Sequence, residues 1–160
     1  MKKLFVNPVP CTACLCCQTV CALCRTGQQD RDGAVIRVAV DVFGGDHRLA
    51  WCRQCEDAPC ASACPAGAIL QDSTTGAWTV DRKLCTSCKA CVAACPCGAM
   101  FWNPSAGRPE KCDLCGGSPR CAAACAFGAV RFLDPDDPEA GFEGMPPSEQ
   151  DPLLGRGPSE

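Results

Sequence analysis

Four times along the chain a Cys-x2-Cys pair is followed by a Cys-x3-Cys pair. Cys11 and Cys14 lead to Cys17 and Cys21, and Cys52 and Cys55 lead to Cys60 and Cys64. Cys85 and Cys88 lead to Cys91 and Cys95, and Cys112 and Cys115 lead to Cys121 and Cys125. Only the gap between the pairs varies: two, four, two and five residues. The last three runs also share a tail of Gly, Ala and an apolar residue: Gly67, Ala68 and Ile69; Gly98, Ala99 and Met100; Gly128, Ala129 and Val130. A repeat in both ligand spacing and tail marks a structural unit used four times.

Nineteen cysteines in 160 residues mean disulfides or metal. The count is odd, which suits a disulfide framework poorly. Residues 1–8 are basic at their start but lack the apolar stretch of a secretory signal, so the expected location is cytoplasmic, where thiols stay reduced. No apolar run is long enough for a membrane span. With six Phe, three Trp and no Tyr, the apolar core is thin and needs a staple. Zinc would use such pairs too, but it rarely uses this full run, and His47 is the only histidine. Cys17, Cys21 and Cys24 have the spacing of radical S-adenosylmethionine enzymes; those need a large barrel for which the chain has no room.

A 4Fe–4S cube has four corner irons, each wanting one thiolate. A tight Cys-x2-Cys-x2-Cys loop reaches three corners, and the fourth cysteine, often before Pro as in Cys64-Pro65 and Cys95-Pro96, points to a second cluster. The runs resemble the bacterial ferredoxin motif, present twice over. That resemblance implies four ligand sets. One cluster takes Cys11, Cys14, Cys17 and Cys125, and its mate takes Cys112, Cys115, Cys121 and Cys21. A third takes Cys52, Cys55, Cys60 and Cys95, and the fourth Cys85, Cys88, Cys91 and Cys64. Cys16, Cys24 and Cys97 are left over as small buried side chains near clusters, with Cys16 an alternative ligand beside Cys17.

The expected fold class is α+β, with tandem ferredoxin-like βαββαβ modules, one inserted in the other, around a cofactor-dominated core. The outer module spans 1–49 and 106–133, and the inserted one 50–105. Strands are expected at 4–6, 34–42, 78–80, 100–102 and 130–133, and short helical turns at 92–94 and 122–124. Trp51, Trp78 and Trp102 read as plain core packing.

Residues 1–133 hold fourteen bases and ten acids; residues 134–160 hold one base and eight acids. The basic excess is not a nucleic-acid footprint, because each oxidised cluster with its thiolates adds about −2 and the scattered bases compensate locally. The segment 134–160 carries six prolines and reads as an acidic, Pro-rich, disordered tail or a strap on a partner, with Phe142, Met145, Leu153 and Leu154 as its anchors.

Over residues 1–133 the chain resembles four-cluster ferredoxin-type subunits of multi-subunit oxidoreductases. These serve molybdenum enzymes of the dimethyl sulfoxide reductase and formate dehydrogenase type, carbon monoxide dehydrogenase and tungsten aldehyde oxidoreductases. The tight loops look most like the small subunits of soluble tungsten enzymes, aldehyde oxidoreductase and class II benzoyl-CoA reductase. One departure is the missing proline after Cys21 and Cys125. The resemblance implies a non-catalytic electron relay between a large tungsten- or molybdenum-pterin subunit and an acceptor. It leaves room for a flavin or NAD subunit and for self-association. The alternatives are a free polyferredoxin shuttle, or service to a molybdopterin reductase, formate dehydrogenase or carbon monoxide dehydrogenase. There is no phosphate loop, no Rossmann fingerprint and no catalytic triad.

Overall fold

The computed structural model describes residues 1–141. In chain order the elements are β1 (Lys3–Val6), α1 (Cys16–Thr26), β2 (Ile36–Asp41), β3 (Asp46–Trp51), α2 (Pro59–Ser62) and β4 (Ile69–Gln71). There follow β5 (Trp78–Val80), α3 (Ala90–Ala94), β6 (Phe101–Asn103), β7 (Arg108–Glu110), α4 (Arg120–Ala123) and β8 (Val130–Leu133). Among the described residues every sheet is a two-stranded antiparallel pair: β1 with β8, β2 with β3, β4 with β5, and β6 with β7. The strand ends meet at Lys3 and Leu133, so the first and last strands of the described core close on one another.

The helices are short because their job is to present cysteines. In α1 the buried residues are Cys17, Cys21 and Ala22, one face of one turn. The helix stops at Gly27, whose φ of 74° lets its N–H cap the Leu23 carbonyl at 2.9 Å. α1 packs on α4, and α2 packs on α3. Cysteines and alanines make up much of the described core, and Leu4, Val6, Ile36, Phe101 and Leu114 are among its large side chains.

Outside residues 52–119 the elements run β1-α1-β2-β3 and then α4-β8. The inserted part does not show the expected βαββαβ order. It runs α2-β4-β5-α3-β6-β7, and β6 pairs with β7, beyond residue 105. The cause is a tight local turn in which Asn103 Oδ1 accepts the Ala106 N–H at 3.0 Å and Gly107 adopts a φ of 61°. Strands β3, β4 and β7 were not expected from the sequence. In 134–160, residues Pro138–Gly141 form a 3-10 turn. Phe142, Met145, Leu153 and Leu154 lie outside the described residues. No described helix is long and apolar enough to cross a membrane.

Candidate metal centres

The Cys-x3-Cys spacing is four residues, about one helical turn or 6 Å of rise. Two cysteines so placed share a helix face but serve neighbouring positions along it. Cys17 and Cys21 sit on α1. Cys60 and Cys64, Cys91 and Cys95, and Cys121 and Cys125 each have one member in a helix and one just past its end. Each helix therefore spans two sites.

Four groups of thiols result. Cys17 feels the charges of Cys11, Cys125 and Cys14 (site I). Cys21, Cys112, Cys115 and Cys121 line one hollow with Trp51 and Arg25 (site II). Cys52, Cys55, Cys60 and Cys95 line another with Trp78, Arg53 and Lys111 (site III). Cys64, Cys85, Cys88 and Cys91 line a third with Lys89 (site IV). The structure thus places Cys21, Cys112, Cys115 and Cys121 around one hollow, Cys52, Cys55, Cys60 and Cys95 around a second, and Cys64, Cys85, Cys88 and Cys91 around a third. All nineteen cysteines are free of disulfides.

The backbone at each site is built alike. Ala13, Gln54, Ser87 and Leu114 precede the second cysteine of each Cys-x2-Cys pair, and all have positive φ, between 49° and 58°. For non-glycine residues this costs on the order of 1–3 kcal/mol each and persists only where the surroundings demand it. The repeated tail also has a mechanical reason. Gly67 and Gly98, both at φ 57°, turn the chain so that the next N–H, of Ala68 and of Ala99, donates to Cys64 Sγ and Cys95 Sγ at 3.3 Å. Gly128 does the same for Cys125, with Val130 N–H as donor at 3.3 Å. Cys21 receives the Val35 N–H at 3.4 Å instead. Such bonds stabilise a thiolate and tune a bound cluster.

Burial drives the metal-free thiols towards the neutral form. It pushes Cys17 and Cys91 up to about 11 and Cys121 up to about 12. Neighbouring thiolates add to the effect. Lys111 opposes it at Cys52 and Cys60. An all-thiol donor set of this kind suits iron–sulfur clusters. Among the described residues no three Cys, His, Asp or Glu side chains are gathered closely enough for a single ion. Thiols set around a cube stand farther apart than thiols set around one ion.

Several contributors were not legible beforehand. Trp51 packs in the core as expected and also lines site II, and Trp78 packs against the core and lines site III, its Nε1 donating to the Cys55 carbonyl at 3.0 Å. Of the leftover cysteines, Cys97 lines site III and burial raises it to about 12, but Cys16 and Cys24 are exposed rather than buried. The backbone N–H and thiol of Cys16 hydrogen-bond to Cys14 and hold that thiol below its ordinary value. Buried Gln54 joins two sites: its Nε2 donates to the Cys112 carbonyl at 2.8 Å, and its Oε1 accepts the Trp78 N–H at 2.9 Å. Gln54→Leu strips the buried Cys112 carbonyl and the half-buried Trp78 N–H of this partner. It is expected to lower stability by about 2 kcal/mol, read as an earlier urea midpoint.

Residues 47–135 match the family profile described as a 4Fe–4S dicluster domain. The chain belongs to that family. The match takes in all of sites III and IV, while Cys11, Cys14, Cys17 and Cys21 lie before it. Among relatives of this dicluster protein, subunit beta of the NADH-dependent phenylglyoxylate dehydrogenase of Aromatoleum evansii is 34% identical over 138 residues, covering 82% of this chain and 30% of that one. The polyferredoxin-like subunit of the aliphatic sulfonate oxidoreductase of Pyrococcus furiosus is 37% identical over 122 residues, covering 76% and 70%. The thiosulfate reductase electron transfer subunit PhsB of Salmonella typhi is 40% identical over 95 residues, covering 55% and 49%. A solved structure, the active site complex BamBC of benzoyl coenzyme A reductase with 1,5 dienoyl-CoA, aligns over 91% of this chain and 83% of its own, with a TM-score of 0.50 and 18% identity. That likeness concerns the fold alone.

Proposed function

We propose that the chain is a non-catalytic electron-transfer subunit holding four 4Fe–4S clusters in a line. The observation that carries this reading is the order of the sites. Site I and site II share helices α1 and α4, and the charge of Cys17 reaches Cys121. Sites II and III meet where Cys52 lines the hollow of site II beside Cys112, with Gln54 bonded across. Sites III and IV share helices α2 and α3. The end sites each have an exposed cysteine, Cys14 and Cys88, while those of the middle sites are buried or half-buried.

When bound, each cluster supplies a one-electron redox centre. The chain's own residues hold the thiols one helical turn apart, donate N–H groups to sulfur and place Arg25, Arg53, Lys111 and Lys89 beside the sites. These cations offset the negative charge the clusters bring. All sixteen repeat cysteines are used, so no iron keeps an open position for substrate, which supports a relay over an enzyme. Fully exposed Phe43 and largely exposed Val42, at the β2–β3 turn, and exposed Val9 and Phe127 favour a subunit over a free shuttle. Two modules are part of this reading, 1–49 with 106–133 and 50–105 inserted. So are a cytoplasmic location and a large catalytic partner of the tungsten- or molybdenum-pterin, aldehyde oxidoreductase type. The partner rests on the sequence resemblance and on relatives named as oxidoreductase subunits.

The test is metal counting on the complex purified without oxygen from its own host. The expected result is about 16 iron atoms per copy of this chain, four for each cube, with tungsten or molybdenum in a large co-purifying subunit. Cys91→Ser is expected to remove site IV alone, about a quarter of the iron. About eight iron atoms per chain would reduce the relay to two clusters, and zinc in place of iron would overturn it.

A further inference from the structure

The internal repeat makes the two ends of the line comparable position by position. Leu15 follows the second cysteine of site I, and Lys89 follows the second cysteine of site IV. Both precede a helix, with identical backbone angles of φ 63° and ψ 2°. Two residues before the first cysteine stand Val9 at site I and Lys83 at site IV. Two residues after the cysteine that returns to each site stand Phe127 and Ala66. Equivalent positions thus carry Val, Leu and Phe at one end and Lys, Lys and Ala at the other.

The difference extends beyond these positions. Residues 5–24, which include the first run, contain no charged side chain. Residues 82–108, which include the site IV run, contain Arg82, Lys83, Lys89 and Arg108 and no acid. Arg82, Lys83 and Lys89 are exposed. Lys89 Nζ lies 4.6 Å from the centre of the Trp102 ring, and Lys89 follows exposed Cys88 in the chain. Lys89 is the one charged residue lining the site IV hollow, and no carboxylate lines it.

We propose that the site IV end is the docking face for a transient, acidic electron-carrier protein, steered by Arg82, Lys83 and Lys89. Rim charges of this kind speed encounter and select a partner of opposite sign, while an exposed ligand brings the carrier's redox group close. One electron passes at this face: the carrier is oxidised by one electron and the site reduced by one. At the site I end the equivalent positions, Val9, Leu15 and Phe127, are uncharged, and exposed Arg131 there folds back to donate to the Gly128 carbonyl at 2.9 Å. The inference rests on the relay reading, since site IV must be an end of the line.

The probe is a plant-type ferredoxin, a small acidic 2Fe–2S protein, bound to the intact iron-loaded complex. Binding is followed by biolayer interferometry and electron transfer by stopped flow. Binding is expected to weaken about a hundredfold between about 20 mM and about 500 mM salt. R82Q/K83Q is expected to weaken it about tenfold at low salt and to flatten the salt dependence, whereas V9Q/L15Q leaves both unchanged. Reduction by dithionite and the iron count should be the same in all variants. Salt-independent binding by the wild-type complex, or equal losses from the two double variants, would overturn the proposal. If dithionite fails to reduce site IV or its iron is absent, the relay reading has failed instead.

Discussion

Stripping the iron with a chelator under anaerobic conditions is expected to unfold residues 1–133 in one cooperative step. The apolar core cannot hold the chain alone: much of it is Cys and Ala, and among the described residues no sheet exceeds two strands and three of the four α-helices span four or five residues. Eight of the described non-glycine residues also sit at positive φ, Ala13, Gln54, Ser87 and Leu114 among them directly before a site cysteine. A structural metal in a small domain contributes on the order of 10 kcal/mol, as much as the whole stability of an ordinary domain. The thiols give the pH dependence. Burial raises Cys17, Cys91 and Cys121 above the ordinary thiol value of 9.0, so protons compete strongly with iron for them. Iron loss should therefore accelerate as pH falls. Any iron-free folded form should weaken as pH rises past about 9, where the unfolded chain's thiols ionise first. Circular dichroism and size-exclusion volume, followed against released iron, check this. A chain that keeps its native signal and size with no iron bound would show that the protein core suffices.

How much was legible in advance follows from the range of each interaction. The ligand spacing was readable because the chemistry is local: four residues make one helical turn, and the Gly-Ala tail returns an N–H to the cysteine just before it. Strands β1, β2, β5, β6 and β8 carry enough apolar or β-branched residues to show. Strand β3 opens with Asp46, His47 and Arg48, and β7 has Pro109 at its centre, so neither announces itself. Their hairpin turns decide the pairing, which is why the inserted part departs from the expected order. The side chains that tie sites together were hidden for another reason. Gln54 reaches a carbonyl 58 residues away and Arg25 a carboxylate 85 residues away, and no local pattern encodes such pairs.

That last pair carries the second large effect. Glu110→Ala is expected to cost about 3 kcal/mol and to release the iron of site II before that of the other sites. Arg25 Nη2 donates to Glu110 Oε2 at 2.8 Å, and its Nη1 donates to Asp113 Oδ2 at 3.2 Å. The Arg25 and Glu110 side chains are 15% and 10% exposed, so this is a largely buried pair. Burial alone would lower the Arg25 pKa, but the hydrogen bond to Glu110 and the charges of Asp113 and Glu110 more than offset it, and the guanidinium stays firmly charged. Without Glu110 that charge remains in place. Asp113, half-exposed, compensates only in part, and Arg108, also paired with Glu110 at 3.5 Å, adds repulsion. The damage lands on site II because Arg25 lines its hollow and Asp113 lies between Cys112 and Cys115. Glu110→Gln, which keeps one acceptor, should cost less. Arg25→Met with Glu110→Met should recover part of the loss, since removing both charges leaves neither stranded. Anaerobic urea titration followed by visible absorbance and by iron content gives the ordering. A Glu110→Ala midpoint equal to that of the parent, or a loss confined to site IV, would show that the pair does not brace site II.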